Sequence, residues 1–427
     1  MVDVVSIHSS SQLAGHFKTP GDKSISHRAV LLGALGEGIS TITGISGGED
    51  VARTLRIVEQ LGASVDRSAD QPIRIEGGRH RLSAADEPLD CGNSGTTMRL
   101  VMGLVSGLKG THHLIGDASL SRRPMDRVAT PLREMGALVE GRGEQVLPPL
   151  TVTGAPLHGL TYDIPVPSAQ VKSALLLAGL FADSAVSLRE VSPTRPNTEE
   201  MLALCGVALE RNPSNPLEMT LHPGLVQPHD WSIPGDPSQA AFFLVAALLA
   251  ESGEVGCTSL YGDVTRIGYL KVLDRMGARL ILSTDDNGSL AVTALSSQLR
   301  ATEIDAREIP SVDEVPILAI AAAAAEGTTR FRDVGELRIK ESDRFATSLA
   351  LVQGLGAQAW GEGDDLVIEG LGSARQFSPL EIDAHGDHRV AMAAAIGGVV
   401  GNGADISGFD AVATSYPDFL EQLEGLR

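Results

Sequence analysis

The chain has 427 residues, 43% of them hydrophobic, which is more than one ordinary core holds and predicts two domains of about 200 residues each. A net charge of -20 opposes binding to nucleic acid or anionic membranes, and 4% aromatic residues leave few side chains to stack on bases. Three cysteines without a close pair suit a reducing compartment, and no Cys- or His-rich cluster points to a metal site. The opening MVDVVSIHSS lacks a basic stretch followed by an apolar run, so no secretory signal is expected. The longest apolar runs, 240–250 and 315–325, are too short to span a bilayer and read as buried helices. A cytoplasmic protein without membrane segments is expected.

Six similar units follow one another. The first opens with the polar turn GDKSISHR (21–28), continues as the apolar helix HRAVLLGAL (27–35), and ends in VEQLGASV (58–65). That last stretch is an amphipathic helix end, a glycine and a β-prone run. The second unit reads GNSGTTMR (92–99), MRLVMGLV (98–105) and LREMGALV (132–139). The third reads PSAQVK (167–172), VKSALLLAGL (171–180) and LALCGVAL (202–209). GDPSQ (235–239), AAFFLVAALL (240–249) and LDRMGARL (273–280) make the fourth. SVDE (311–314), VPILAIAAA (315–323) and VQGLGAQA (352–359) make the fifth. HGDHR (385–389), HRVAMAAAI (388–396) and LEQLEGL (420–426) make the sixth. The glycines Gly62, Gly136, Gly206, Gly277, Gly356 and Gly425 recur about every 70 residues and predict left-handed helix C-caps.

Each unit therefore reads as two helices and about four strands. The first helix is apolar nearly all round and predicts burial; the second carries more charge and predicts a solvent-facing position. Sheets outside and helices inside, in a repeat closed on itself rather than an open solenoid, is the expected layout. The sixth unit lacks its following strand at the C-terminus, and the run Val2–His8 is expected to supply it. One domain then spans 1–19 plus 235–427 and the other 20–234. The two crossings, near Thr19–Pro20 and Pro234–Gly235, have Pro and Gly suited to a hinge.

The residues that break the apolar pattern lie at the helix starts, where free N–H groups and the positive dipole end favour anions. Second-helix starts add SRRPM (121–125), TRPNTEE (194–200) and KESDR (340–344). Ser, Thr, Asp and Gly are ordinary N-caps, and Ser311-x-x-Glu314 reads as a capping box. Basic residues there are not ordinary, because they oppose the dipole. Lys23, Arg28, Arg99, Arg123, Lys172, Lys340, Arg344 and Arg389 all lie at or near such starts. Together they predict a small anionic ligand rather than scattered salt bridges. No GxxxxGK[ST] occurs and no GxGxxG follows a strand, so no nucleotide cofactor is predicted.

GDKSISHR, GNSGTTMR, RRPM, SAQVK, ELRIKESDR, GDHRVAM and TSYPDF occur in this order over nearly the whole chain. Together they resemble the 5-enolpyruvylshikimate-3-phosphate synthase family. The resemblance implies an α/β enolpyruvyl transferase fold, a two-domain inverse α/β barrel-like arrangement. Each domain has three βαβαββ repeats with buried helices, and the active site lies in the cleft between domains. It implies transfer of the enolpyruvyl group of phosphoenolpyruvate to the 5-hydroxyl of shikimate 3-phosphate, with release of phosphate and no metal or organic cofactor. Family members are often monomers, and a monomer is expected here.

The same resemblance implies the roles of individual residues. Lys23, Ser24, Arg28, Ser168, Ala169, Gln170, Arg195, Asp313 and Lys340 would meet shikimate 3-phosphate. Lys23, Gly95, Arg123, Gln170, Arg344 and Arg389 would hold phosphoenolpyruvate, where a planar guanidinium suits carboxylate and phosphate alike. Asp313 is implied as the base that takes the 5-hydroxyl proton and Glu341 as the acid that protonates carbon 3.

This sequence departs from the family pattern at several places. Thr414 stands where many relatives have Lys, Glu336 where many have Asn, and Leu100 where many have Pro. Arg195-Pro-Asn-Thr-Glu199 replaces Arg-x-His-x-Glu. The branch motifs GDK and SAQ-x-K point toward glyphosate tolerance, whereas Gly95 leaves room for the inhibitor. Two other readings use the same scaffold. A UDP-N-acetylglucosamine enolpyruvyl transferase typically has Cys in the loop that here reads GDASLSRRP (116–124). A non-catalytic anion-binding protein would have no use for both Asp313 and Glu341.

Overall fold

The computed structural model describes residues 4–68, 71–286 and 288–427. The long apolar runs all become helices, because they exceed strand length and are rich in Ala and Leu. The chain divides into two compact units, Lys23–Ile233 and Met1–Asp22 with Pro234–Arg427. The first unit holds α1 (Lys23–Leu35), α2 (Glu49–Gln60), α3 (Gly95–Ser106), α4 (Asp126–Glu134), α5 (Ala169–Gly179) and α6 (Asn197–Leu204). The second holds α7 (Pro237–Leu249), α8 (Gly268–Arg275), α9 (Val315–Ala324), α10 (Arg344–Gly354), α11 (His388–Val400) and α12 (Phe419–Gly425). Two buried helices begin well before their apolar runs: α1 starts at Lys23, and α3 at Gly95, because the polar turn itself supplies the first helical turn.

Odd-numbered helices form the interior. Every residue of α9 and of α11 is buried. Each Ile, Leu or Val removed from water in this way contributes about 1.5–3 kcal/mol. Even-numbered helices are amphipathic; α2 buries Val51, Leu55, Ile57 and Val58 and leaves its charged face outside. Gly62, Gly136, Gly206, Gly277 and Gly356 take positive φ after their helices, as left-handed caps do. Gly425 departs from that expectation: it is the last residue of α12 and is not among the positive-φ glycines.

One sheet plan repeats. In four of the six repeats the strand before the buried helix pairs parallel with the strand after it, and the last two strands of a repeat join antiparallel. In the third repeat Thr161–Asp163, Val186–Arg189, Asn215–Leu221 and Leu209–Asn212 lie in that order, with Thr161 opposite Ser187 and Ser187 opposite Thr220. A parallel pair needs a crossover, and the buried helix is that crossover. Five sheets have four strands and the sixth has three, among the described residues.

The N-terminal strand Val4–Ile7 does join the sixth sheet, antiparallel to Ala404–Ser407. It takes the place of the repeat's final strand, not of the strand that follows the outer helix. Val2 and Asp3, included in the expected run, lie outside the described residues. The next strand, Gln12–His16, pairs parallel with Ser252–Leu260 in the fourth repeat. Trp231–Ser232 pairs parallel with Ile39–Thr43 in the first. The strands that precede α1 and α7 are thus exchanged between the sheets of the first and fourth repeats.

Pro20–Asp22 stay with the unit that contains Pro234–Arg427, for a visible reason. Gly21 bridges Gly235, Asp22 N–H donates to the Pro234 carbonyl at 2.7 Å, and Asp236 N–H donates to the Pro20 carbonyl at 3.0 Å. Buried Arg266 then pairs with Asp22 and Asp236, each at 2.7 Å. Nearby, Phe17, Phe243, Tyr416 and Phe419 form an aromatic cluster, with Phe243 stacked on Phe419 at 4.9 Å. The TSYPDF motif is therefore largely a packing device that docks α12.

Candidate active site

Two polar clusters form, one on each unit, and both are built around helix starts. In the unit Lys23–Ile233, Lys23 is the first residue of α1 and pairs with Asp50 of α2 at 3.0 Å. One turn on, buried Arg28 donates from Nε to Thr198 Oγ1 at 2.6 Å and from Nη2 to Ser173 Oγ at 2.6 Å. Its Nη1 reaches the Ser24 carbonyl at 2.8 Å. Arg195 donates to Ser24 Oγ at 3.0 Å. Lys23, Ser24, Arg28 and Arg195 therefore share one corner, held by hydroxyls of α5 and α6.

A second corner gathers around the start of α3. Ser94 caps the helix by accepting from Thr97 N–H. A Cβ added at Gly95 would lie 2.9 Å from Arg99 Nη1 and 3.1 Å from Arg123 Nη1, so the missing side chain is what lets both guanidinium groups crowd this helix start. Arg99 donates to Gln170 Oε1 at 2.7 Å, and Gln170 Nε2 donates to Thr96 Oγ1 at 2.9 Å. Arg123 reaches the Asn93 carbonyl at 3.2 Å. Ser168 caps α5 through Val171 N–H, and Ala169 is its first residue.

Lys172 behaves differently from the other helix-start cations. Its side chain is 1% exposed and sits 3.0 Å from Glu190 and 2.8 Å from Glu199. Its charge is matched inside the unit, so the expectation that it faces a ligand is corrected. Glu190 follows the strand Val186–Arg189 before the Arg195 loop, and Glu199 lies on α6 after it. The signal was in the sequence, as two acidic residues flanking Arg195, but nothing there revealed which cation they meet.

In the other unit, Asp313, Lys340, Glu341, Arg344 and Arg389 come together. Arg344 opens α10 and is buried. It grips Asp387 bidentately, at 2.8 Å from Nε and 3.2 Å from Nη2. The same guanidinium reaches Asp313 Oδ1 at 3.1 Å and Glu341 Oε2 at 2.5 Å. Burial opposes its charge, but Asp387, Glu341 and Asp313 outweigh burial and push its pKa above the usual arginine value. Asp387 also caps α11 through Arg389 N–H, and Arg389 Nη1 donates to the Asp313 carbonyl at 3.1 Å. Lys340 stands 3.8 Å from Glu336. Its pKa is lowered, because burial outweighs the pull of Asp313, Glu336 and Glu341.

Glu314 corrects the capping-box expectation. It occupies the N-cap position of α9 without a side-chain cap bond. Its buried carboxylate instead accepts from the Ser238 hydroxyl and, at 3.1 Å, from Ser311 Oγ. Thr414 turns its hydroxyl to the Ala411 carbonyl at 2.7 Å, and Leu100 is buried in the core. Among the described residues no group of three or more His, Cys, Asp and Glu is placed to hold a metal ion, and no helix is long and apolar enough to cross a membrane.

Comparison with known proteins is consistent along the chain. The family model of EPSP synthase (3-phosphoshikimate 1-carboxyvinyltransferase) matches residues 7–423. A 3-phosphoshikimate 1-carboxyvinyltransferase of Desulforudis audaxviator is 44% identical over 97% of each chain, and one of Roseiflexus sp. is 43% identical over 97% of each. The structure of EPSP synthase from Acinetobacter baumannii is 37% identical and superposes with a TM-score of 0.85 over 99% of this chain and 98% of that one. The enolpyruvyl transferase NikO from Streptomyces tendae, at 21% identity, shares the fold with a TM-score of 0.80 over 99% and 97%. Six βαβαββ-type repeats, two polar helix-start clusters and this likeness over nearly the full length lead to one conclusion: the chain has the enolpyruvyl transferase fold and belongs to the EPSP synthase (3-phosphoshikimate 1-carboxyvinyltransferase) family.

Proposed function

We propose that this chain transfers the enolpyruvyl group of phosphoenolpyruvate to the 5-hydroxyl of shikimate 3-phosphate and releases inorganic phosphate. The observation that carries the proposal is the pair Asp313 and Glu341 sharing the buried Arg344 guanidinium. Asp313 takes the 5-hydroxyl proton as the oxygen attacks carbon 2, and Glu341 gives a proton to carbon 3. Carbon 2 becomes tetrahedral. Elimination then returns a proton from carbon 3 and expels phosphate, restoring the double bond. Two carboxylates in one site suit one donor and one acceptor of protons.

Binding follows the charge layout. Lys23, Ser24, Arg28 and Arg195, with Ser168, Ala169, Gln170 and Lys340, serve shikimate 3-phosphate. Gly95, Arg123, Arg344 and Arg389, with Lys23 and Gln170, serve phosphoenolpyruvate. These residues belong to both units. Arg344 and Lys340 favour an ionised Glu341, whereas an acid must hold its proton. Phosphoenolpyruvate resolves this in the proposal: its carboxylate takes over the Arg344 guanidinium and offsets the cations. The proposal includes a cytoplasmic monomer; all three cysteines are unpaired and buried, as suits a reducing compartment.

The test is phosphate release from phosphoenolpyruvate with and without shikimate 3-phosphate. Release that depends on shikimate 3-phosphate is expected. Glu341→Gln should keep both substrates bound while lowering turnover by about 10² or more. No release, or release that instead follows a UDP-sugar, sinks the proposal.

A further inference from the structure

The residue before Asp313 has a backbone that its side chain disfavours. Val312 has a φ of 50°, in the left-handed region, where a β-branched residue is a true outlier. Its side chain is 4% exposed and belongs to the core of its unit, so the Cβ is anchored. Its N–H donates to the Ile309 carbonyl at 2.7 Å, and its carbonyl accepts from Val315 N–H at 3.3 Å. On the far side of Asp313, Glu314 is locked by Ser238 and Ser311, and its carbonyl accepts from Leu318 N–H at 2.9 Å. Asp313 is thus the one partly exposed side chain between two buried anchors, and it faces Arg344 at 3.1 Å.

A strained twist persists only where its surroundings over-determine it, and such twists concentrate where geometry matters to function. A residue following an ordinary backbone would leave along a different direction, while the Glu314 lock would still hold the start of α9. The twist is what reconciles a buried Glu314 with an Asp313 turned toward Arg344. We propose that left-handed Val312, braced by Glu314, is the positioning device that aims Asp313 at the hydroxyl it deprotonates. This rests on the reading of Asp313 as the base. Asp313 touches the substrate; Val312 acts through it.

Comparison of Val312→Gly with Val312→Ala tests the idea. Both variants lose the two γ methyl groups and glycine loses the β carbon as well, but only glycine relieves the left-handed strain and frees the backbone. The Gly variant is therefore expected to melt at a higher temperature than the Ala variant, against the usual order. It should nevertheless turn over at least about tenfold more slowly, with each KM within about threefold, because a misaimed base affects the chemical step. Equal kcat in the two variants overturns the positioning role. A Gly variant that melts lower than the Ala variant, or fails to fold when Ala folds, overturns the strain. Asp313→Asn separates the premises: near-normal turnover in that variant removes Asp313 as the base whatever residue 312 does.

Discussion

Replacing Lys172 by methionine tests whether its ammonium is an internal counter-ion or a ligand contact. Met keeps the buried length of the side chain and removes the charge. Glu190 and Glu199 are both almost fully buried and within 3.0 Å of the ammonium; without it Glu199 keeps Arg211 at 3.1 Å, whereas Glu190 keeps the Thr194 hydroxyl. Breaking a buried pair in this way costs about 3–5 kcal/mol, because a carboxylate is left without its counter-ion. For a unit of about 200 residues, each kcal/mol shifts the melting temperature by roughly 2–4 °C, so a fall of about 6–20 °C is expected.

Adding Glu199→Gln should restore part of the loss at neutral pH. Affinity for shikimate 3-phosphate should fall as well, because Glu190 and Glu199 flank the loop that presents Arg195 to Ser24. Thermal unfolding followed by circular dichroism, with calorimetric titration of the ligand, reads both effects. A Lys172→Met protein that melts within about 2 °C of the parent, yet binds shikimate 3-phosphate poorly, refutes the counter-ion reasoning and makes Lys172 a ligand contact.

Two further outcomes are expected. Gly95→Ala should fold normally, since the nearest atoms to the new methyl are guanidinium ends that can swing away. Displacing Arg123 should raise KM for phosphoenolpyruvate about tenfold, or ~1.4 kcal/mol; an unchanged KM in steady-state kinetics refutes this. Lys340 should lose its proton below its ordinary pKa, so affinity for shikimate 3-phosphate should fall as pH rises through that lowered value. Lys340→Arg should carry the fall to higher pH; identical pH profiles for the two proteins in binding titrations rule out Lys340 as the titrating group.

Much of the site was legible because its residues interrupt a strong pattern. Lys23, Arg28, Arg99, Arg344 and Arg389 stand out at or near helix starts, and all five lie in the two clusters. Glu314 and Lys172 were misread for the same reason. Local spacing suggests a capping box or a ligand-facing cation, whereas their partners come from elements far along the chain: Ser238 for one, Glu190 and Glu199 for the other. A pairwise contact across 76 residues leaves no periodic trace.

The sequence by itself determined the six repeats, the alternation of buried and outer helices, and the glycine caps, because each follows from local periodicity and backbone preference. Only the tertiary structure decided which place Val4–Ile7 takes in the sixth sheet and where Gln12–His16 pairs. Strand edges accept any chain that satisfies their N–H and C=O groups, and Val4–Ile7 and Gln12–His16 enter different sheets. It also decided which cations are matched internally and that Val312 is left-handed. Both depend on what surrounds a residue in space: a buried charge is matched by whichever carboxylate packing brings near, and a disfavoured φ survives only where neighbours hold it.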